Sequence, residues 1–390
     1  MKEESVLSIQ KAFGDLNDPR SRTPTHSLQE MLVVALCAIL CGAETWVGIQ
    51  IWAQGKLEWL RRFVPLCNGV PSHDTFGRVF AALDAQRFEA CFIRWMSALI
   101  PTLEGQIVAI DGKTVRRSYE RGQRPIHLVP AYGAGLGTVL GQVRTAGKSN
   151  EITAIPELLE ALELRGAIVT IDAMGCQRDI ARRIVEAGAD YVLAVKENQP
   201  TLHRRISNAF ESIERIPQAY QGENDSASYC EVEKDHGRIE TRRCVVSDIL
   251  TRWYHVRELW PGARSIVMIE STREIGETIT TERRYYVSSL RPDPVRIAHA
   301  VRSHWAIESM HWTLDVAFNE DQCRARVNNA AQNFAILRRI TLNLLRQDRT
   351  SRVGLKNRRL KACASERYLE QLLGWPEQPP IGSSESRPSA

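Results

Sequence analysis

Two short apolar runs in the middle of the chain each end on an aspartate. IVAID covers residues 107–111 and ends on Asp111, and AIVTID covers residues 167–172 and ends on Asp172. Both runs contain the β-branched residues of buried strands and alternate with helical patterns, which predicts an α/β core with a mixed sheet. A carboxylate at the end of a buried strand is costly unless it has a partner. Because ligands gather at strand ends in such sheets, we expect the two aspartates to face one crevice.

A third carboxylate joins this pair in the segment PVRIAHAVRSHWAIESMHWTLDVAF, residues 294–318. We predict one long helix here, in which the spacing places Glu308 on the face that the apolar residues bury. Taken singly, each acid has a structural interpretation as a cap, a turn residue or a salt-bridge partner. Together, two acids at strand ends and one on a later helix are the ligands that hold two Mg²⁺ ions for in-line phosphoryl displacement.

At 390 residues the chain is long enough for more than one domain. The short helical patterns before the first strand form either a helix-turn-helix-like DNA-binding module or a packing domain. Polar alternation after residue 200 predicts an antiparallel insertion. The predicted organisation is a helical N-terminal domain at 1–100, the first part of the α/β core at 101–200, a β-rich insertion at 201–290, core helices carrying Glu308 at 291–350, and a basic segment with a disordered tail at 351–390.

The positive charge of the chain is concentrated near its C-terminus. The formal net charge is only +5, yet residues 324–367 hold twelve Lys or Arg against two Asp or Glu. Such a stretch suits a polyanion such as nucleic acid, although a solvated helix face has the same composition. Nine scattered cysteines without a CxxC pair indicate neither a disulfide framework nor a cysteine zinc site. The longest apolar stretch, residues 31–42, is too short to span a membrane, so we expect a cytoplasmic protein with no membrane partner.

Many stretches between residues 10 and 350 resemble one protein family. In order and spacing they are similar to bacterial insertion-sequence transposases of the DDE type, in the H-repeat-associated group. The stretches are DPRSRTPTHSLQEMLVVALCAILCGAETW, PSHDTFGRVF, IVAIDGKTVRRS, KSNEITAIPELL, IVTIDAMGCQRDIA, DYVLAVKENQP, DHGRIETRR, YYVSSL and RSHWAIESMHWTLDVAFNEDQCRAR.

The resemblance implies a ribonuclease-H-like catalytic fold, with Asp111 on the first strand, Asp172 after the fourth and Glu308 on a helix beyond the β-rich insertion. It also implies a DNA transposase that uses Mg²⁺, with Mn²⁺ as a substitute. Such an enzyme binds the terminal inverted repeats of its element, cuts at the ends and transfers the 3′-ends to a target duplex. Because two ends must meet, the implied assembly is a homodimer or a higher synaptic complex, associated with the nucleoid when bound to DNA. A metal-dependent nuclease on the same fold and an inactive DNA-binding remnant are the alternatives.

The expected contacts to DNA depart from the wider superfamily. Many of its members carry Tyr and Arg before the glutamate and Lys after it, where this chain has Val301, His304 and Asp315. We therefore expect Arg302, His304 and Lys113 to substitute for those contacts. Further candidate DNA-binding residues, each of which also has a structural interpretation in a turn, a cap, an ion pair or the core, are Lys148, Lys196, Arg238, Trp305, Arg324 and Arg326.

Overall fold

The computed structural model describes residues 12–119, 124–145, 151–217, 226–235, 237–249 and 259–375. Contacts divide this part of the chain into two compact units. The first unit joins the residues up to Cys91 with those from Leu314 onwards, and the second contains Phe92–Thr313. This division differs from the predicted domains, because the helices after Leu314 pack with the N-terminal helices and do not form a separate basic segment.

The helices, in chain order, are α1 (Leu28–Leu40), α2 (Trp46–Gly55), α3 (Leu57–Leu60), α4 (His73–Ala82), α5 (Ala85–Leu99), α6 (Glu151–Ala161), α7 (Arg178–Glu186), α8 (Pro200–Arg215), α9 (Pro294–His304), α10 (Ala306–Phe318), α11 (Ala330–Gln347), α12 (Leu355–Ala364) and α13 (Glu366–Leu373). The strands are β1 (Ile107–Ile110), β2 (Lys113–Thr114), β3 (His127–Gly133), β4 (Thr138–Arg144), β5 (Ile168–Ile171), β6 (Asp190–Val195), β7 (Ala227–Asp235), β8 (Arg238–Ser247), β9 (Ser265–Ile275) and β10 (Thr278–Ser288). A 3-10 turn at Glu320–Gln322 follows α10.

Capping and aromatic contacts organise the first unit. Helix α1 is apolar and buried on all sides from Met31 to Leu40. It begins with a capping box, in which the hydroxyl of Ser27 accepts from the N–H of Glu30 and the Glu30 carboxylate accepts from the N–H of Ser27. Helix α4 begins after Ser72, whose hydroxyl accepts from the backbone N–H of Thr75. The ring of Trp46 stacks on Phe80 at a centroid distance of 4.9 Å, which fixes α2 against α4.

The second unit is built on one mixed sheet in the order β2-β3-β1-β5-β6-β10-β9-β8-β7, with β4 paired to β3. Strands β1, β5 and β6 run parallel, and β3 is antiparallel to both β1 and β4. All residues of β1 and β5 are buried, since α6 and α7 cover one face of these strands and α9 covers the other. This mixed sheet with helices on both faces confirms the predicted α/β, ribonuclease-H-like fold class.

The β-rich insertion is antiparallel, as the sequence predicts, but it continues the main sheet. Strand β10 pairs antiparallel with β6, and β9, β8 and β7 follow in a meander. The first half of β9 and the second half of β10 are buried. The ends of the two strands that meet at the turn between them are more exposed. The insertion therefore extends the sheet beyond the edge of the core.

The predicted long helix at 294–318 is interrupted at Trp305. There the backbone N–H bonds to the carbonyl of Arg302, three residues back, which tightens the turn and shifts the phase of the side chains. After the interruption the buried positions of α10 are Ile307, Met310, Leu314, Ala317 and Phe318. The expectation that Glu308 lies on the buried face is therefore wrong: Glu308 is exposed, and so is Trp312 at 65%.

Part of the basic segment lies inside the first unit, which corrects the view of 324–367 as one cationic surface. Arg338, Arg339 and Arg359 are buried. The guanidinium of Arg359 donates to the carbonyl of Ile39 at 2.8 Å and thus caps the end of α1. Residues 376–390, the predicted tail, lie outside the described residues. Nowhere in the described ranges does a helix have the length and apolar character that crossing a membrane requires.

Candidate active site

The register of the central strands brings the two aspartates together. Strands β1 and β5 are parallel, and Ile110 pairs with Ile171. The next residue on each strand is an aspartate, so Asp111 and Asp172 leave the sheet side by side. Strand β2 continues β1 along β3 in the same register, so Asp111 occupies a short interruption in an otherwise continuous pairing. The predicted shared crevice exists.

The carboxylate of Asp172 is held by its own loop. Its Oδ1 accepts from the backbone N–H of Met174 at 3.0 Å and from that of Gly175 at 3.4 Å. These bonds close a turn directly after β5 and orient the carboxylate. The turn interpretation of Asp172 is confirmed, and it is compatible with a role in the site, because the same side chain shapes the loop and lines the cleft.

Glu308, in the first turn of α10, lines the same cleft as Asp111 and Asp172. The cleft has a volume of about 750 Å³ and also contains Lys196 and Trp305. The site predicted from three acids therefore gathers in one place. It does so across the interruption at Trp305, which turns Glu308 away from the core and towards the cleft.

The carboxylates in and beside this cleft repel one another. The pKa of Asp111 is raised to about 7, mainly by burial and then by the carboxylates of Glu151, Asp172 and Glu308, while the N–H of Gly112 acts in the opposite direction. A cation between these groups would remove the repulsion, and carboxylate oxygens are the donors that Mg²⁺ prefers. Among the described side chains, however, no three His, Cys, Asp or Glu are gathered closely enough to enclose an ion. Donor chemistry thus fits a divalent cation, and binding one requires these carboxylates to draw together.

His304, proposed above as a contact to DNA, also bonds to the strand that precedes Asp172. Its Nδ1 lies 3.0 Å from Oγ1 of Thr170 on β5. Burial lowers the pKa of His304, and the nearby Asp172 carboxylate opposes that shift only in part. The imidazole is therefore neutral at pH 7 and fastens α9 to the strand that carries Asp172.

The other candidate DNA-binding residues are scattered. Lys196 is exposed in the cleft at the end of β6, whereas Lys113 is buried beside Asp111. Lys148 lies outside the described residues. Arg324 and Arg326 are exposed and belong to the first unit. The cleft thus contains one of these lysines, and the structure does not gather the whole predicted set.

Arg238 and Arg302 line a second groove of about 520 Å³, between the β7–β10 sheet and α9. Each pairs with a glutamate of β8 or β7, at N–O distances of 3.4 and 3.7 Å. The guanidinium of Arg284 lies 5.0 Å from the centre of the Trp305 ring. Arg284 and Trp305 line both the groove and the cleft that contains the three carboxylates, so the two are continuous.

Sequence reasoning missed three residues close to Asp111. Nδ1 of His311 lies 3.7 Å from Oδ2 of Asp111. Glu151 is the carboxylate that acts most strongly on Asp111, and its Oε1 lies 2.7 Å from Nε2 of His127. Glu151 directly follows KSN in the motif KSNEI, and an acid at a helix start has an ordinary interpretation as a partner of the helix dipole. Its long-range neighbours were therefore not visible in the sequence.

Comparison with known proteins agrees with this geometry. A family model described as "Transposase DDE domain" matches residues 102–344, and one described as "DDE_Tnp_1-associated" matches residues 10–96. The chain belongs to the DDE transposase family. The match to the transposase DDE domain covers the sheet, the insertion and the helix that carries Glu308.

Two relatives from Escherichia coli are similar to this transposase along most of its length. YncI of strain O157:H7, which is named as a transposase, is 42% identical and the alignment covers 95% of each chain. YhhI of strain K12, named as an H repeat-associated transposase, is 38% identical over 89% of this chain and 92% of its own. These relatives confirm membership of the H-repeat-associated group. A solved piggyBac transposase synaptic complex with hairpin DNA aligns over 96% of this chain and 82% of its own, at 12% identity and a TM-score of 0.40, too low for a residue-level comparison.

Proposed function

We propose that this transposase cuts DNA at the terminal inverted repeats of its own element and transfers the 3′-ends to a target duplex, with Asp111, Asp172 and Glu308 as the catalytic carboxylates. The observation that carries the proposal is that these three side chains line one cleft although 61 and 136 residues separate them along the chain. A structural role for each acid separately does not explain why all three face the same space.

The same three residues are the ligands that we propose for Mg²⁺, with Mn²⁺ as a substitute. Bound divalent cations activate a water or 3′-hydroxyl nucleophile and neutralise the leaving 3′-oxygen in this class of reaction. The protein prepares the site for them. The loop N–H groups orient Asp172, the His304 bond fixes the approach of the helix pair to β5, and burial of Asp111 keeps its carboxyl out of bulk water.

The groove beside the cleft is our proposed path for the DNA backbone. It is lined by five arginines, which are Arg238, Arg242, Arg273, Arg284 and Arg302. The buried Glu240 pairs with three of them and so holds their guanidinium groups in place. Trp305, at the junction with the cleft, offers a ring on which a base at a cleaved end stacks. Lys196 adds an exposed ammonium group for a phosphate.

A labelled duplex that carries the element's terminal repeat tests the proposal. Wild type with Mg²⁺ is expected to cut at the repeat and to join the released 3′-end to a second duplex. Asp172→Asn and Glu308→Gln are expected to bind the duplex and leave it uncut, whereas Glu157→Gln, a matched change of an exposed glutamate on α6, retains activity. Cutting without any joined product would instead indicate a nuclease. Binding with no cutting by wild type would indicate an inactive DNA-binding protein.

Cutting at two ends in one reaction requires that two copies of the chain meet. We therefore propose a homodimer or higher synaptic complex on DNA. Size-exclusion chromatography with light scattering, run on the protein alone and with repeat duplexes, tests this. A complex with two duplexes and at least two chains is expected, and one chain per duplex at catalytic concentrations would contradict it.

A further inference from the structure

Gly112 leaves room for a hydrogen-bonded histidine–glutamate pair beside Asp111. It follows Asp111 in the interruption between β1 and β2. A methyl group on this residue would overlap Oε1 of Glu151 and Nε2 of His127, so the absence of a side chain is what lets this pair lie against the backbone. The pair therefore lies against the backbone of the residue that directly follows Asp111.

A chain of hydrogen bonds fixes the pair. Oγ1 of Thr114 lies 2.9 Å from Nδ1 of His127, and Nε2 of His127 lies 2.7 Å from Oε1 of Glu151. With Nδ1 accepting from the hydroxyl, Nε2–H donates to the carboxylate. The Glu151 side chain is only 12% exposed, so these contacts decide its orientation. His127 contacts one oxygen of Glu151, Oε1, and so holds the carboxylate in place.

The position of this carboxylate needs an explanation, because it lies where three other carboxylates already repel one another. Three carboxylates raise the pKa of Asp111, and among them Glu151 has a larger effect than Asp172 or Glu308. If the pair served only to close the loop, a neutral glutamine would accept the same bond from His127 without adding repulsion to a buried site. A retained negative charge is useful where a cation comes to lie between the carboxylates.

We propose that Glu151 is a fourth carboxylate of the active site, which strengthens divalent-cation binding on the side of Asp111, and that His127 is the positioning residue that orients it. This inference rests on the proposed function, since it assumes that the cleft takes a divalent cation. It adds a residue that lies on neither of the strands carrying the aspartates nor on the helix of Glu308.

Cation binding measured without DNA tests the proposal separately from strand transfer. Wild type, Glu151→Gln, His127→Gln and the control Glu157→Gln are titrated with Mn²⁺, with free Mn²⁺ followed by electron paramagnetic resonance and the melting temperature followed in parallel. We expect Glu151→Gln to raise the half-saturating Mn²⁺ concentration about tenfold or more, His127→Gln to raise it less, and Glu157→Gln to match wild type. In the metal-free state Glu151→Gln is expected to melt no lower than wild type, because it removes a repulsion.

Equal half-saturation for wild type and Glu151→Gln, together with a lower metal-free melting temperature of the variant, would overturn the proposal and leave the pair as a loop closure. If Glu151→Gln does not fold, Glu151→Asp keeps the charge but withdraws it from Asp111, and weaker Mn²⁺ binding is again expected. Absence of Mn²⁺ binding by wild type itself would overturn both this inference and the metal-dependent part of the proposed function. Unchanged binding in the variant alone overturns only the role of Glu151.

Discussion

The imidazole of His304 lies 3.0 Å from the hydroxyl of Thr170, although 134 residues separate the two along the chain. Thr170 is two residues before Asp172 on the same strand, and His304 is four residues before Glu308. This one contact therefore joins the strand that carries one of the proposed catalytic carboxylates to the helix pair that carries another. It explains how acids contributed from both sides of a long insertion reach a common cleft.

Removing that contact is expected to loosen the site. Thr170→Val keeps the shape of the side chain but deletes the hydroxyl, and it is expected to reduce the free energy of unfolding by about 1 kcal/mol. We also expect slower DNA cleavage, because Glu308 is held less firmly. Urea unfolding and single-turnover cleavage check the two effects. Thr272→Val, which removes an exposed hydroxyl bonded to Thr281, is the control and is expected to change stability by less than about 0.5 kcal/mol. Equal effects from the two variants would show that the contact between Thr170 and His304 contributes neither to stability nor to cleavage.

The raised pKa of Asp111 makes metal-free stability depend on pH. Its carboxyl ionises near 3.8 in the unfolded chain and near 7 in the folded protein. Between these values the folded state binds more protons than the unfolded state, so this group lowers stability as pH rises through the window. Asp111→Asn is expected to match wild type below pH 4 and to be more stable at pH 8, by roughly 2–4 kcal/mol. Thermal melts in EDTA across this range measure the difference. A variant that is less stable than wild type at pH 8 would contradict the argument.

The stability of the first unit is expected to be sensitive to substitution of the buried pair Arg339 and Glu320. Nη1 of Arg339 lies 2.9 Å from Oε1 of Glu320, and both side chains are fully buried. Arg339→Met removes the oppositely charged partner of a fully buried carboxylate, so we expect a loss of about 3–5 kcal/mol in urea unfolding. Arg61→Met, which removes one partner of an exposed pair with Glu58, is expected to cost less than about 1 kcal/mol. Similar losses in the two variants would refute the buried-pair interpretation.

Lys196 is the lysine that lines the cleft in the described part of the chain, and the DNA contact that we propose for it predicts a change in the salt dependence of binding. Lys196→Gln is expected to weaken binding of the terminal repeat and to reduce the slope of log K against log salt by about 1, since one phosphate contact is lost. Lys234→Gln, a change of an exposed lysine on β7, is expected to leave the slope unchanged. Fluorescence anisotropy at a series of salt concentrations measures both. The same slope for Lys196→Gln and wild type would remove Lys196 from the interface.

The strands and their terminal aspartates were predictable from sequence because the information is local. Each is a run of β-branched residues that ends on a carboxylate, and the parallel register then aligns Asp111 with Asp172. The orientation of Glu308 was not predictable in the same way. A periodic pattern assumes one continuous helix, and the tightened turn at Trp305 resets the phase by a local change of backbone hydrogen bonding.

Residues whose role depends on distant partners were the hardest to predict. Glu151 reads as an ordinary first residue of a helix until the sheet brings His127 and Asp111 to it. Arg339 and Arg359 read as part of a cationic surface, yet a buried glutamate and the carbonyl groups at the end of α1 take up their donors. The number of charged residues follows from the sequence, but which of them are exposed to solvent depends on the fold.

We propose that Asp111, Asp172 and Glu308 together catalyse transfer of a DNA 3′-end. The most direct measurement supplies a pre-cut repeat with a free 3′-hydroxyl and a supercoiled target, so that joining is observed without prior cleavage. With Mg²⁺, wild type is expected to form joined products, whereas Asp111→Asn, Asp172→Asn and Glu308→Gln bind the pre-cut end as wild type does but form none. Joining that persists in any one of these three variants at the wild-type rate would contradict the account.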